Sequence, residues 1–200
     1  RKVSGKVMYD PKKVNYRLSN LLGKKGESKE DPEILMKAVK NPGELENLRQ
    51  AHIYDGVALT KFIYWLKNKV QEKEITEFEA TEYLDQLRLS NPNCLGLSFG
   101  TIGAYNENAA MMHYTATKDN TATLKPEGIF LVDSGGQYYQ GTTDVTRTIV
   151  LGKISKEVKR AFTLTLKGNI RLSKAKFLEG CRGVNLDILA RGSLWDLGLD

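Results

Sequence analysis

The chain has 200 residues, with 30 Lys plus Arg against 24 Asp plus Glu, a formal net charge of +6, and 40% hydrophobic residues. These proportions suit a folded core and exclude a long disordered tail. No apolar run approaches the roughly 18–20 residues that a membrane span needs.

The charge is uneven along the chain. Residues 1–40 carry 11 basic and 5 acidic side chains, 41–152 carry 9 and 14, and 153–200 carry 10 and 5. The lysines from Lys153 to Lys176 alternate with apolar residues at helical spacing, so they read as solvated helix faces rather than a nucleic-acid surface. In chain order, a short mixed segment from Val3 to Tyr9 ends at Asp10-Pro11, and Val14 to Leu22 suits one short helix. The polar stretch Gly23 to Pro32, with two Gly and a Pro, is the best boundary candidate. Asn41-Pro42-Gly43-Glu44 is a helix start: Asn41 caps, Pro42 suits the first position, and Glu44 lies three residues after the cap. Behind it Leu45, Leu48, His52, Val57, Leu59, Phe62, Ile63 and Leu66 predict a helix over about 44–68, with His52 as a structural residue on its apolar side. A second helix begins near Thr76, with Glu77 and Glu79 in a first turn that favours acids, and stops before Asn91-Pro92.

The middle of the chain changes period. Leu95 to Tyr105, Ala110 to Tyr114, Gly128 to Ser134 and Thr142 to Leu151 are rich in β-branched and aromatic residues and punctuated by Gly, which predicts strands. Helical spacing returns over about 155–176 and 184–196. The order helix, helix, strands, helix, helix predicts an α+β fold with helices packed on a mostly antiparallel sheet. Cys94 and Cys181 sit in no CxxC or Cys/His cluster, so a zinc ribbon or redox motif is excluded.

The most informative stretch is Leu131-Val132-Asp133-Ser134-Gly135-Gly136 through Gly141-Thr142-Thr143-Asp144-Val145-Thr146-Arg147-Thr148. Gly135-Gly136 permits a bulge and Gln140-Gly141 a turn, so a hairpin brings Asp133 and Asp144 back near each other. A carboxylate inside an apolar strand is costly to bury alone, and two close carboxylates repel unless a cation compensates. Hard oxygen ligands suit manganese or magnesium, with zinc also compatible. Spacing alone leaves a second reading open, in which Asp133 makes a turn hydrogen bond and Asp144 pairs with Arg147 or a lysine.

The run from Asp133 to Thr148 resembles the first metal-binding hairpin of the aminopeptidase P branch of the M24 pita-bread metallopeptidases. Leu35 to Asn41, Asn47 to His52 and Asp55 to Leu59 are similar to the entry of that family's catalytic domain. Gly96 to Ile102 and Met111 to Tyr114 are similar to its substrate-pocket strands, and Arg191 to Asp200 also matches. The resemblance implies the first half of a pita-bread (creatinase/aminopeptidase-like) fold. Residues 1–32 would be the end of an N-terminal creatinase-like domain, and 33–200 the first half of the catalytic domain. It implies Asp133 as a bidentate ligand of one metal and Asp144 as a bridge between two. His113 would bind substrate and handle a proton, and Phe99 would wall the proline pocket. Thr146 and Arg147 would support the ligands.

The implied cofactors are two divalent ions, Mn2+ first, with Zn2+ or Co2+ as alternatives. The implied substrates are peptides with proline second, cut by a metal-bridging water, and the implied protein is a cytoplasmic homodimer with no nucleic-acid or membrane partner. A prolidase-type dipeptidase and a non-catalytic pita-bread peptide-binding module are the alternatives; the Thr142-Thr143-Asp144-Val145-Thr146-Arg147-Thr148 wording favours aminopeptidase P. Family members add one His and two Glu ligands from a second half. After Asp144 this sequence has only Glu157, Glu179, Asp187, Asp196 and Asp200 as acids, and no His. The chain opens on Arg1 without Met and closes on Asp200 inside a matching run. A piece of a longer protein is therefore expected, inactive by itself and a weak metal binder.

Overall fold

A computed structural model describes residues 4–199. Val3, at the start of the first expected segment, and Asp200, at the end of the last, lie outside the described residues. The chain divides into two compact units, one up to Gln50 and one from Ala51. In the first, β1 (Val7–Tyr9) pairs in parallel with β2 (Gly26–Ser28) around helix α1 (Tyr16–Leu22), and α2 (Glu33–Ala38) follows. Asn15 caps α1 by accepting from the Leu18 N–H.

Helix α3 (Pro42–Lys69) starts as its sequence predicts. The Asn41 side chain accepts from the Glu44 N–H at 2.9 Å, and Glu44 accepts from the Asn41 N–H at 2.8 Å, a reciprocal cap of the orphan donors. In the second unit its buried stripe is Ala51, Asp55, Ala58, Leu59, Phe62 and Leu66. His52 and Val57 are exposed, which corrects the predicted stripe. Helical spacing extended backward from Phe62 and Leu66 passes through Ala58, Asp55 and Ala51, and His52 is rotated about 100° from Ala51. The predicted stripe, drawn from apolar positions and His52, did not include Asp55.

After β3 (Ile75–Thr76), helix α4 (Glu77–Leu89) opens with a second reciprocal cap between Thr76 and Glu79. The predicted 95–105 strand is two strands in different sheets, β4 (Cys94–Leu97) and β5 (Ile102–Tyr105). The predicted 110–114 strand is absent. A 3₁₀ turn over Asn106–Ala110 and an irregular loop stand there, because their polar groups bond to the start of α4 rather than to a strand. Next come β6 (Thr123–Leu124), β7 (Ile129–Ser134), β8 (Gly136–Tyr138), β9 (Gly141–Thr142) and β10 (Val145–Val150), then helices α5 (Lys156–Ser173) and α6 (Gly183–Trp195). In this unit the named ladders are antiparallel and form three small sheets, ordered β10-β7-β5, β4-β8-β9 and β3-β6.

The core lies between α3, α4 and the β10-β7-β5 sheet. Leu59, Phe62 and Leu66 meet Ala80, Leu84, Phe130, Val132, Tyr105 and Ile149. The Phe62 and Phe130 rings lie 6.4 Å apart. Each such fully buried side chain contributes roughly 1.5–3 kcal/mol. Strand β7 alternates as a sheet with one wet face should: Phe130, Val132 and Ser134 are buried, whereas Ile129, Leu131 and Asp133 are only half-buried. That alternation leaves Asp133 on the open face.

Candidate metal centre

Strand β7 and the segment that returns to pair with it turn a corner at the two aspartates. Up to Ser134 the strand pairs with β10, and from Gly136 it continues as β8 in another sheet. The return path leaves that sheet at Thr142 and rejoins β7 at Val145. Four hydrogen bonds hold the corner. The Thr143 N–H donates to the Gly136 carbonyl and the Gly136 N–H to Thr143 Oγ1, both at 2.9 Å. The Ser98 N–H donates to the Gly135 carbonyl at 3.1 Å, and its hydroxyl to the Thr143 carbonyl at 2.9 Å. Gly135 is required here, since a Cβ would overlap the Thr143 carbonyl and the Ser98 hydroxyl.

Asp133 stands opposite Thr146 on β10 and Ile102 on β5. The Thr146 hydroxyl donates to Asp133 Oδ1 at 2.8 Å, so the two side chains share one face. Asp144 is exposed and lies two residues before Thr146, beside the corner threonine. Arg147 does not compensate either carboxylate: its Nη1 donates to the Thr146 carbonyl at 2.8 Å. Among the described residues neither aspartate has an ion pair. Two uncompensated carboxylates, one on β7 and one just before β10, fit a hard divalent cation. They are an incomplete set, since no cluster of three or more His, Cys, Asp or Glu that could hold a metal forms among the described residues.

Phe99 is half-buried in the bend beside Ser98, whose bonds tie that bend to the Asp144 corner. His113 is exposed on the loop after β5, with a left-handed backbone at φ +58°. Among the described residues no hydrogen bond joins it to Asp133 or Asp144; its carbonyl accepts from the Thr115 hydroxyl at 3.4 Å. The structure thus sets Asp133 and Thr146 on one face of the β7–β10 ladder, Asp144 two residues before Thr146 and Phe99 next to Ser98 of the corner, and presents His113 on a separate loop.

Three supports escaped the sequence reading. Ser98 and Thr143 knot the corner. Behind β8, the guanidinium of Arg88 grips Asp55 through Nε at 2.7 Å and Nη2 at 3.1 Å, both side chains fully buried. The Tyr138 hydroxyl donates to the same Asp55 oxygen at 3.0 Å, tying β8 to α3 and α4. Burial pushes the Asp55 carboxyl up, but the Arg88 bonds and charge, with Tyr138 and Thr143, outweigh it and hold the group below its ordinary range. Burial and the Asp55 charge push the Tyr138 phenol far up, so it remains a donor. A buried Asp at a helical core position and an Arg in a last turn are the signals that could have found this pair.

The model of metallopeptidase family M24 matches residues 46–200. The probable Xaa-Pro aminopeptidase P of Paracoccidioides brasiliensis is 44% identical over 192 residues, covering 94% of this chain and 31% of that protein. Aminopeptidase P1 of Arabidopsis thaliana is 38% identical, covering 98% of this chain and 34% of that one. The crystal structure of X-prolyl aminopeptidase from Caenorhabditis elegans, described as a cytosolic enzyme with a di-nuclear active site, superposes with a TM-score of 0.89 at 37% identity. It matches 98% of this chain and 32% of its own. The chain spans about a third of the length of the relatives it matches.

Proposed function

This chain belongs to metallopeptidase family M24, and from that premise we propose that it is part of an Xaa-Pro aminopeptidase, contributing the first two carboxylates of its dinuclear metal centre. The observation that carries this reading is the Asp133–Thr146 pair on the β7–β10 ladder, with Asp144 at the same corner and, among the described residues, no Lys or Arg ion pair to either carboxylate. The activity and di-nuclear site of the C. elegans enzyme support it at 37% identity. Residues 1–32 then end an N-terminal domain, and 33–200 begin the catalytic one.

Two divalent ions, Mn2+ first and Zn2+ or Co2+ as alternatives, would be held with Asp133 and Asp144 among their ligands. When bound they supply an activated water at neutral pH and stabilise developing negative charge on the scissile carbonyl. Thr146 holds one oxygen of Asp133, which fixes the carboxylate's orientation for coordination. Phe99 offers an apolar wall to the proline ring, and a ring on the leaving nitrogen is what a dedicated pocket selects. His113 binds the peptide and passes a proton to the leaving nitrogen, a task suited to an imidazole near neutral pH. The substrates are peptides with proline second, and the intact protein is a homodimer in the cytoplasm, the compartment named for the C. elegans enzyme.

The test is Asp144→Asn in the intact polypeptide. Metal content should fall, and kcat/KM on an Xaa-Pro peptide should drop by at least about 10³-fold, as for loss of a group that stabilises the transition state. Undiminished cleavage would overturn the assignment. No cluster of three or more metal-ligating side chains forms among the described residues, so the 200-residue chain by itself should bind metal weakly and show no turnover; cleavage by it would overturn the incomplete-site reading.

A further inference from the structure

The loop that carries His113 is built around one buried carboxylate. Residues 106–122 link β5 to β6, and Glu77, in the first turn of α4, is wholly buried beneath them. Its Oε1 accepts from the Tyr105 N–H at 2.7 Å and from Asn108 Nδ2 at 3.0 Å. Its Oε2 accepts from the Tyr114 hydroxyl at 2.8 Å and from the Ala122 N–H at 2.8 Å. These four donors come from the start, middle and end of the loop. The Glu77 N–H returns a bond to the Ala122 carbonyl at 3.0 Å, and the Phe78 N–H bonds Thr121 Oγ1 at 3.0 Å. A buried carboxylate is costly unless it is hydrogen-bonded, and here four donors satisfy it.

Tyr114 is the link to His113. It follows His113 directly, and its N–H closes a turn onto the Met111 carbonyl at 3.2 Å. Asn108 Nδ2 also donates to its hydroxyl at 3.2 Å. Between these anchors His113 takes a left-handed backbone, a conformation that a non-glycine residue keeps only where its surroundings over-determine it. Among the described residues the His113 side chain has no hydrogen bond of its own, so its placement depends on its neighbour's anchorage. Burial and the Glu77 carboxylate raise the Tyr114 phenol to about 12, which keeps it a donor throughout the neutral range.

We propose that Glu77, acting through the Tyr114 hydroxyl, is a positioning residue for His113 and sets the imidazole for its proton step at the leaving nitrogen. The inference rests on the reading of His113 as a group beside the reacting peptide. It assigns a chemical purpose to a buried acid that touches neither aspartate.

The experiment is a double-mutant cycle in the intact, metal-loaded polypeptide, comparing wild type, His113→Ala, Tyr114→Phe and the double variant on an Xaa-Pro peptide. Tyr114→Phe keeps the ring and leaves Glu77 three donors, so the fold should survive where Glu77→Ala risks collapse. Its kcat should fall about 10–100-fold, the scale of a misplaced reacting group. KM should stay within about twofold and metal content should be unchanged. In the His113→Ala background the same change should add less than about twofold. Additive losses, or wild-type rates in Tyr114→Phe beside an impaired His113→Ala, would overturn the inference alone. Wild-type rates in His113→Ala would remove the reading it rests on, and the inference with it.

Discussion

Asp55 and Thr146 show how single side chains support the site from opposite sides. The Arg88–Asp55 pair is fully buried, so removing one partner leaves an uncompensated charge; Asp55→Asn is expected to cost about 3–5 kcal/mol at pH 7, measured by urea unfolding. The Asp55 carboxyl titrates lower in the fold than in the unfolded chain. Its stabilising contribution is therefore complete above the unfolded value near 3.9 and drains as pH falls through the lower folded value. The wild-type chain should lose its advantage over Asp55→Asn below about pH 4, and an unchanged difference at pH 3 would contradict this. On the open face, Thr146→Val deletes the bond to Asp133 Oδ1 while keeping the shape of the strand. Metal affinity of the intact protein should weaken about 10–100-fold, read by competition with a chelating dye.

The β7–β10 hairpin is the element that makes the site, and its corner depends on close backbone approach. Gly135→Ala places a methyl against the Thr143 carbonyl. It should destabilise the chain by about 3–4 kcal/mol or block folding, and a thermal midpoint within a degree of wild type would refute the knot. Gly168 acts likewise where α5 meets α6, since a Cβ there would overlap the Ala190 carbonyl. The start of α3 was legible, since Asn41 and Glu44 cap as their residue types dictate; Ser155 caps α5 in the structure by accepting from the Val158 N–H. The strand assignments were less so. Residues 110–114 have strand-like composition, yet Glu77 gathers their polar groups into a loop. Leu95 to Tyr105 has the composition of one strand, but it breaks at Ser98, whose bonds go to the corner.

At the scale of the molecule, much apolar surface is uncovered. Phe162, Leu166 and Ile170 are each nearly half exposed along one stripe of α5, beside a groove of about 590 Å³ against Ile129 and Thr146. Val184 and Ile188 of α6 are more exposed still. Exposed apolar faces of this kind associate, so the 200-residue chain should show a concentration-dependent mass by light scattering, reduced by Phe162→Glu. None of its described helices is long and apolar enough to cross a membrane. Local periodicity and capping chemistry determined the helices and the antiparallel class, because these signals act between residues a few positions apart; the pair Asp133 and Asp144 was singled out by the family resemblance, since its spacing alone left a second reading open. Tertiary structure alone decided which face of β7 is open, how Gly135 lets the hairpin change sheets, that buried Asp55 anchors β8, and that buried Glu77 anchors the 106–122 loop. Those outcomes depend on contacts between residues as far apart as Asp55 and Tyr138, or Glu77 and Ala122, where burial and hydrogen-bond satisfaction override the local preference of a charged residue for water.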